Sequence, residues 1–447
     1  MRPNHPRLLY KIMLLGLALL AGYGALTVRP PPEAGGRLTP AVPDPAVASP
    51  EVPEVFPFSE VDAAYDHSCG VRTDGVLACW GNSERGKLDV PAGTFGQVST
   101  GENHSCGVKT GGILACWGQN RYGQLDAPTG TFRQVSAGAD HTCGVTTDTR
   151  IVCWGDDADG KLDAPDGTFS RVSAGYEHTC GVQTDGTVVC WGNNDAGQTN
   201  APNGSFSEVS AGEDHTCGVE TDGTATCWGN NDAGQLSAPG GRFSQVSAGT
   251  YHSCGLTAGG IVTCWGTDTN GRLDVPGGRF GRVSAGPFHS CGVRPDGTLA
   301  CWGSRYHGEA TPPVPPTLRQ QPRSTRVVTG EPFTLSATAS GSGTAYQWRK
   351  DGTEIGGATG SNYTVASASV GDSGSYDVVV TNVAGRTISV AATVVVAPPS
   401  DAPAPADTRT PLTGSAPFRR QQRKNASRPR SDEGRDSASR VGTAVDA

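Results

Sequence analysis

The fourteen cysteines of this chain fall on one ruler. Cys69, Cys106, Cys143, Cys180, Cys217, Cys254 and Cys291 recur every 37 residues, and each has a partner ten positions on: Cys79, Cys116, Cys153, Cys190, Cys227, Cys264 and Cys301. An even set of fixed local pairs predicts seven hairpin disulfides, and hence an oxidising compartment. A fixed period of this length also predicts a repeat architecture, in which each unit buries its faces against its neighbours. A metal-site alternative, His67, Cys69 and Cys79 repeated in every unit, is the weaker reading, because zinc sites use closely spaced pairs such as CxxC.

One unit, FSRVSAGYEHTCGVQTDGTVVCWGNNDAGQTNAPNGS at 169–205, reads as three strands. They run through 169–174, 178–183 and 187–191, followed by a Gly/Asn/Asp/Pro loop. The hairpin register follows from counting. Placing Cys69 opposite Cys79 sets Val71 against Leu77 and Arg72 against Val76, and leaves the loop Thr73-Asp74-Gly75. Loops of three residues end in a left-handed residue, usually glycine. Glycine stands there in every unit but the third, where Thr149 predicts strain or a rebuilt turn.

Alternation puts His67, Cys69, Val71, Leu77 and Cys79 on one face of the hairpin, with Ala78 and Trp80 on the other. Both faces need cover, which sheets packed face to face in a ring provide. The pattern GxxHTCGV, then DG, then CWGNNxxGQL resembles the RCC1-type repeat, and the short three-strand unit is similar to the bacterial β-lactamase-inhibitor version of that propeller. The resemblance implies a seven-bladed β-propeller with each tryptophan against the next sheet. It also implies that aromatic residues just before the second strand of a blade face a partner. The paired cysteines depart from that family's pattern.

The expected fold class is therefore all-β: a seven-bladed β-propeller with intra-blade disulfides over 58–313, then an immunoglobulin-like β-sandwich over 317–397. The second module rests on VVTGEPFTLSATA, AYQWRKDGTEI and GDSGSYDVVVTNVAG, which supply two strands and a tyrosine corner at Asp372, Gly374 and Tyr376. Trp348 is the expected core tryptophan, and Ala337 and Val378 stand where antibody domains place a disulfide. Residues 29–57 read as a Pro-rich linker and 398–447 as a disordered tail with a basic stretch from Arg419 to Arg430. Residues 1–28 read as a signal peptide or signal anchor, with Arg2, Arg7 and Lys11 ahead of 17 apolar residues. An uncleaved copy would be a membrane tether; the lipoprotein alternative fails because Tyr23 stands where the lipidated cysteine belongs. An extracytoplasmic location is expected: secreted, periplasmic or cell surface.

Charge argues against nucleic acid. Residues 58–313 carry 15 Lys and Arg against 28 Asp and Glu, a net of −13, whereas phosphate binding needs a positive surface. The seven in-register histidines, His67 to His289, invite a catalytic reading, but catalysis needs one asymmetric constellation. The loops GDDADGK and GTDTNGR resemble calcium loops only in part, since Gly155 and Gly266 occupy the first ligand position. No catalytic residue, cofactor or metal is assigned. The positions that vary between otherwise constant units carry Tyr65, Tyr122, Tyr176, Tyr251, Phe288, Arg305 and Tyr306, residue types that dominate binding hot spots. The expected function is a monomeric, non-catalytic binding protein that presents one propeller face to a protein or glycan. An enzyme using the central channel is the alternative, marked by an asymmetric cluster of carboxylates or histidines at one channel end. An exchange factor of the eukaryotic RCC1 kind is opposed by the export signal, the disulfides and the acidic body.

Overall fold

The computed structural model describes residues 52–399. The leader, most of the spacer and the basic tail lie outside the described residues. Residues 58–303 form seven antiparallel sheets of three strands each, every one built in chain order from an inner, a middle and an outer strand. The fourth blade has Phe169–Ala174, His178–Gln183 and Val188–Gly192.

Local sequence explains this shape. The inner strand opens with a phenylalanine followed by a bulge, as between Phe169 and Arg171. The Phe ring then lies over a glycine of the middle strand: a Cβ on Gly107 would stand 2.6 Å from Phe95 Cδ1, so no larger residue fits. The hairpin register is the expected one, with Cys69 opposite Cys79 and Val71 opposite Leu77. All seven disulfides are formed, their Cα atoms 4.0–4.1 Å apart. The third blade keeps the same turn rather than rebuilding it, with Thr149 held at φ 73°.

The blades interlock through residues repeated in every unit. Trp117 of the second blade packs on Cys69, Val71 and Leu77 of the first. The histidines link blade to blade. His178 Nε2 lies 2.8 Å from Thr216 Oγ1, and that hydroxyl donates to the Gln198 carbonyl at 2.9 Å, which also accepts Trp228 Nε1–H at 2.9 Å. Thr216 spends its only proton on the carbonyl, so His178 is the donor, through Nε2–H. The buried member of each interblade loop, Lys87, Gln124, Lys161, Gln198, Gln235, Arg272 or Glu309, supplies the carbonyl that takes the tryptophan N–H.

A polar girdle runs inside the ring. Ser99, Ser136, Ser173, Ser210 and Ser247 each accept the N–H of an alanine on the next inner strand at 2.9–3.0 Å. The same contact closes the circle: Ala63 N–H donates to Ser284 Oγ at 3.0 Å. In the first blade Asp62 replaces the serine, accepting from Thr100 N–H and Ser284 Oγ, both at 2.7 Å. Among the described residues no strand is exchanged across the seam, and all seven blades keep their own three strands.

Residues 317–397 form the immunoglobulin-like module around Trp348, Tyr376, Leu335 and Val394. Tyr376 Oη donates to the Asp372 carbonyl at 2.8 Å, the expected tyrosine corner. Ala337 and Val378 are fully buried where a disulfide would otherwise lie. The end of the spacer belongs to this module: Glu54–Val55 pairs antiparallel with Gly385 and Arg386. Phe56 N–H donates to the Ala384 carbonyl at 2.8 Å, and Arg72 of the first blade reaches the Val383 carbonyl at 3.2 Å. Entry to the propeller is thus clipped to the module that follows its exit.

Candidate partner-binding face

Each middle strand begins where its outer strand ends, as with His67 opposite Gly81. The loop before the middle strand and the loop after the outer strand therefore leave the blade on the same side. All seven sequence-nominated residues lie in these two loop sets and share one face of the wheel.

The first set surrounds the upper mouth of the channel, a cavity of about 160 Å³ lined by Tyr65, Glu102, Tyr176, Glu213, Thr250 and Pro287 above the girdle. Sequence reasoning named the tyrosines and Phe288; it passed over Glu102 and Glu213 as partners of those rings, because they belong to other blades. Among the described residues, no Lys, Arg or His lines this cavity. Burial and the charges of Glu102 and Glu213 push the Tyr176 hydroxyl up to about 12 and raise that of Tyr65. Glu213 is raised by burial and by the nearby Asp214 and Glu102, against the opposing hydrogen bond from Thr250. Groups on the first, second, fourth and fifth blades thus converge over one mouth and repel further negative charge.

Just outside it, Phe288 meets the Tyr65 ring edge-on at 4.8 Å. Tyr251 covers the Arg272 guanidinium at 5.6 Å from its ring centre. The other nominated residues sit on loops after the outer strands. Tyr122 carries Arg121 at 5.1 Å over its ring, and Tyr306 is 88 % exposed with the His307 ring 4.7 Å away. Arg305 is exposed beside it.

Beneath the face, buried cations fix the loops. Lys87 Nζ holds both carboxylate oxygens of Asp66 at 2.7 and 2.8 Å. Burial works to raise Asp66, but the neighbouring His67 and the hydrogen-bonded Lys87 ammonium outweigh it and hold the carboxyl at about 2. Lys161 pairs likewise with Asp156 and Glu177. The calcium-like loops are turns: Asp159 and Asn270 adopt left-handed backbone at φ 61° and 62°, and Asp157 and Asp268 cap the N–H groups of Leu162 and Leu273.

The lower chamber, about 640 Å³ below the girdle, is lined by Glu60, Gln97, Gln134, Arg171, Glu208, Gln245 and Arg282, one from each inner strand. Burial pushes Glu60 and Glu208 up to about 7 against the pull of Arg282 and Arg171 respectively. These two carboxyls break the sevenfold symmetry, the feature that a channel enzyme would need. Their register mates Gln97, Gln134 and Gln245 bridge neighbouring inner strands, however, so the position serves the scaffold.

The regulator of chromosome condensation (RCC1) repeat matches residues 97–124, 132–161, 169–198, 206–235, 243–272 and 282–309. The immunoglobulin domain matches residues 315–396. A decoration protein of Escherichia phage T5 is 44 % identical over 84 residues, covering 17 % of this chain and 51 % of that protein. The chain thus spans about half the length of the curated relative it matches. Among solved structures, the ectodomain of the Physcomitrella patens receptor kinase CR4 is 26 % identical, with 58 % of this chain and 76 % of that one covered and a TM-score of 0.49. The CRINKLY WD40 ectodomain of the Arabidopsis thaliana receptor kinase ACR4 is also 26 % identical, with 55 % and 95 % covered and a TM-score of 0.49. The repeat matches, the seven three-stranded blades and the second domain match together make this chain an RCC1-type propeller followed by an immunoglobulin-like domain.

Proposed function

We propose that this protein is a non-catalytic binding module of an extracytoplasmic space, and that it docks a protein partner on the propeller face around the upper channel mouth. One observation carries the reading. Tyr65 and Tyr176 line that mouth with Glu102 and Glu213, and Tyr251 and Phe288 sit just outside it, at positions that differ from one blade to the next. Aromatic rings beside uncompensated carboxylates favour a cationic guest, held by ring quadrupole and charge together. The partner class is therefore a protein segment that presents Lys or Arg. The seven disulfides support an oxidising location. An uncleaved leader would tether the module to a membrane.

The test is capture on the immobilised, disulfide-intact chain from its native envelope or medium, comparing wild type with a Tyr251→Ala/Phe288→Ala variant. Species held by wild type and released by the variant, at unchanged thermal stability, support this face. Equal retention of every species by both forms removes it. Retention of a glycan rather than a protein would redirect the partner class.

A further inference from the structure

Below the serine girdle, one position of the inner strand makes a second join between neighbouring blades. Gln97 donates through Nε2 to the Val135 carbonyl at 2.7 Å and accepts Val135 N–H on Oε1 at 2.8 Å. Gln134 does the same to Val172 at 2.9 and 3.0 Å, and Gln245 to Val283 at 2.9 and 3.1 Å. A primary amide suits this work because it carries a donor and an acceptor side by side. Glu60 and Glu208 occupy the same register on the first and fifth blades, each beside the backbone N–H of the matching valine on the next blade, Val98 and Val246. An ionised carboxylate only accepts, so it can take the valine N–H but leaves the valine carbonyl without a donor. A protonated carboxyl has the donor–acceptor pair of an amide.

We infer that Glu60 and Glu208 act as proton-operated clasps, each joining two blades by two hydrogen bonds when neutral and by one when ionised. The step is acid–base only: each carboxylate takes one proton from the water of the channel and donates it to the Val98 or Val246 carbonyl. The chamber that both carboxyls line supplies the route. The surrounding groups set the balance. Glu60 faces Arg282 of the seventh blade and Asp62 of its own strand, and Glu208 faces Arg171 of the fourth blade and Arg282. Arg133 lines the same chamber. The inner strands against which the two carboxyls lie, Phe95–Thr100 and Phe243–Ala248, carry no titratable residue. Burial outweighs the arginines and pushes both carboxyls up to about 7, which puts the change of state near neutrality.

The sign follows. Both groups bind protons more tightly in the folded chain than in the unfolded one, whose glutamates sit near 4.5. Their contribution to stability is full below about 4.5 and is lost as pH rises through about 7. The experiment is thermal unfolding of the full chain at pH 5 and pH 8 in wild type, Glu60→Gln/Glu208→Gln and Gln97→Glu. The permanent amides should leave Tm near wild type at pH 5 and raise it by several degrees at pH 8. Gln97→Glu should add a new loss of Tm between pH 5 and pH 8. Difference infrared spectra of wild type against the double Gln variant should show a protonated-carboxyl band that fades between those pH values. An equal Tm offset of the Gln variant at both pH values, with no such band at pH 5, overturns the clasp.

Discussion

His289 Nε2 stands 2.6 Å from Ser68 Oγ although 221 residues separate them in the chain. This contact repeats across the seam what the other six blade histidines do within the ring, and the Ser68 hydroxyl donates to the Glu309 carbonyl at 3.2 Å. The relay uses only the Nε2–H, and burial rather than the relay keeps the imidazole neutral. Burial holds His104, His141, His178 and His252 at about 3 and His215 and His289 at about 4, while the unfolded chain protonates near 6.5. The unfolded state therefore takes up protons that the native state refuses, and stability falls as pH drops from about 6.5 towards 4. Each histidine contributes up to about 1.4 kcal/mol per pH unit in that window. Glu60 and Glu208 act with the opposite sign, but they are two against a ring of histidines. Tm measured in steps from pH 7 to pH 4.5 should fall steeply; a flat profile would mean that the imidazoles are not held neutral. Nitrogen chemical shifts should report the Nε2–H tautomer for His178.

The disulfides staple units too small to hold themselves. Each closes only the hairpin between two paired strands, so the chain-entropy contribution of one bridge is about 2–3 kcal/mol. A Cys180→Ser/Cys190→Ser variant should lose about that much in urea unfolding while keeping its fold, because Phe169, Val182 and Val172 still pack the blade. Full reduction should unfold the propeller at a lower denaturant concentration than the immunoglobulin-like module, whose core around Trp348 contains no bridge. A single transition unmoved by reductant would contradict this.

How far the sequence carried these features depends on where each residue's partner lies. The Cys69–Cys79 register and the turn at Gly75 follow from counting inside one unit, because both partners share a hairpin. The Ser99 girdle, the Gln97 bridges and the buried Lys87 pair with residues on other blades or other loops, and a one-unit reading treats them as polar filler. The inner strand did carry a signal: Gln97 and Ser99 flank Val98, an alternation that puts polar groups on the channel side. The Glu54–Val55 strand was not legible at all, since its partner Gly385 lies beyond the whole propeller. The convergence of Tyr65, Glu102, Tyr176 and Glu213 needed the ring itself, which brings blades from opposite sides to one mouth.

Among the seven propeller hairpins, Thr149 is the non-glycine residue that takes the left-handed turn position. A β-branched side chain at φ 73° is a strained conformer, and the turn is nonetheless kept, with Thr149 N–H donating to the Thr146 carbonyl at 3.0 Å. Glycine serves this position in the other blades at φ values from 80° to 93°. Strain of this kind costs about 1–3 kcal/mol, and the added freedom of glycine in the unfolded chain offsets part of the relief. Thr149→Gly should raise stability by about 1 kcal/mol, read as a shift of Tm with no change in binding. A loss of stability would show that the threonine makes a compensating contact.

The upper mouth makes an electrostatic prediction that separates charge from shape. Glu102 and Glu213 act on both Tyr65 and Tyr176, and among the described residues no basic side chain lines the cavity to offset them. A partner that places Lys or Arg there should associate faster at low salt, and its binding should weaken as ionic strength rises. Glu102→Gln/Glu213→Gln should flatten that salt dependence and cost affinity mainly through the association rate. Tyr65→Ala/Tyr176→Ala should instead speed dissociation, by about 1–2 kcal/mol per ring where the ring is a hot spot. Association and dissociation rates of the captured partner, measured at two salt concentrations, check both halves. A salt slope unchanged in the Gln variant would show that the partner docks away from this mouth.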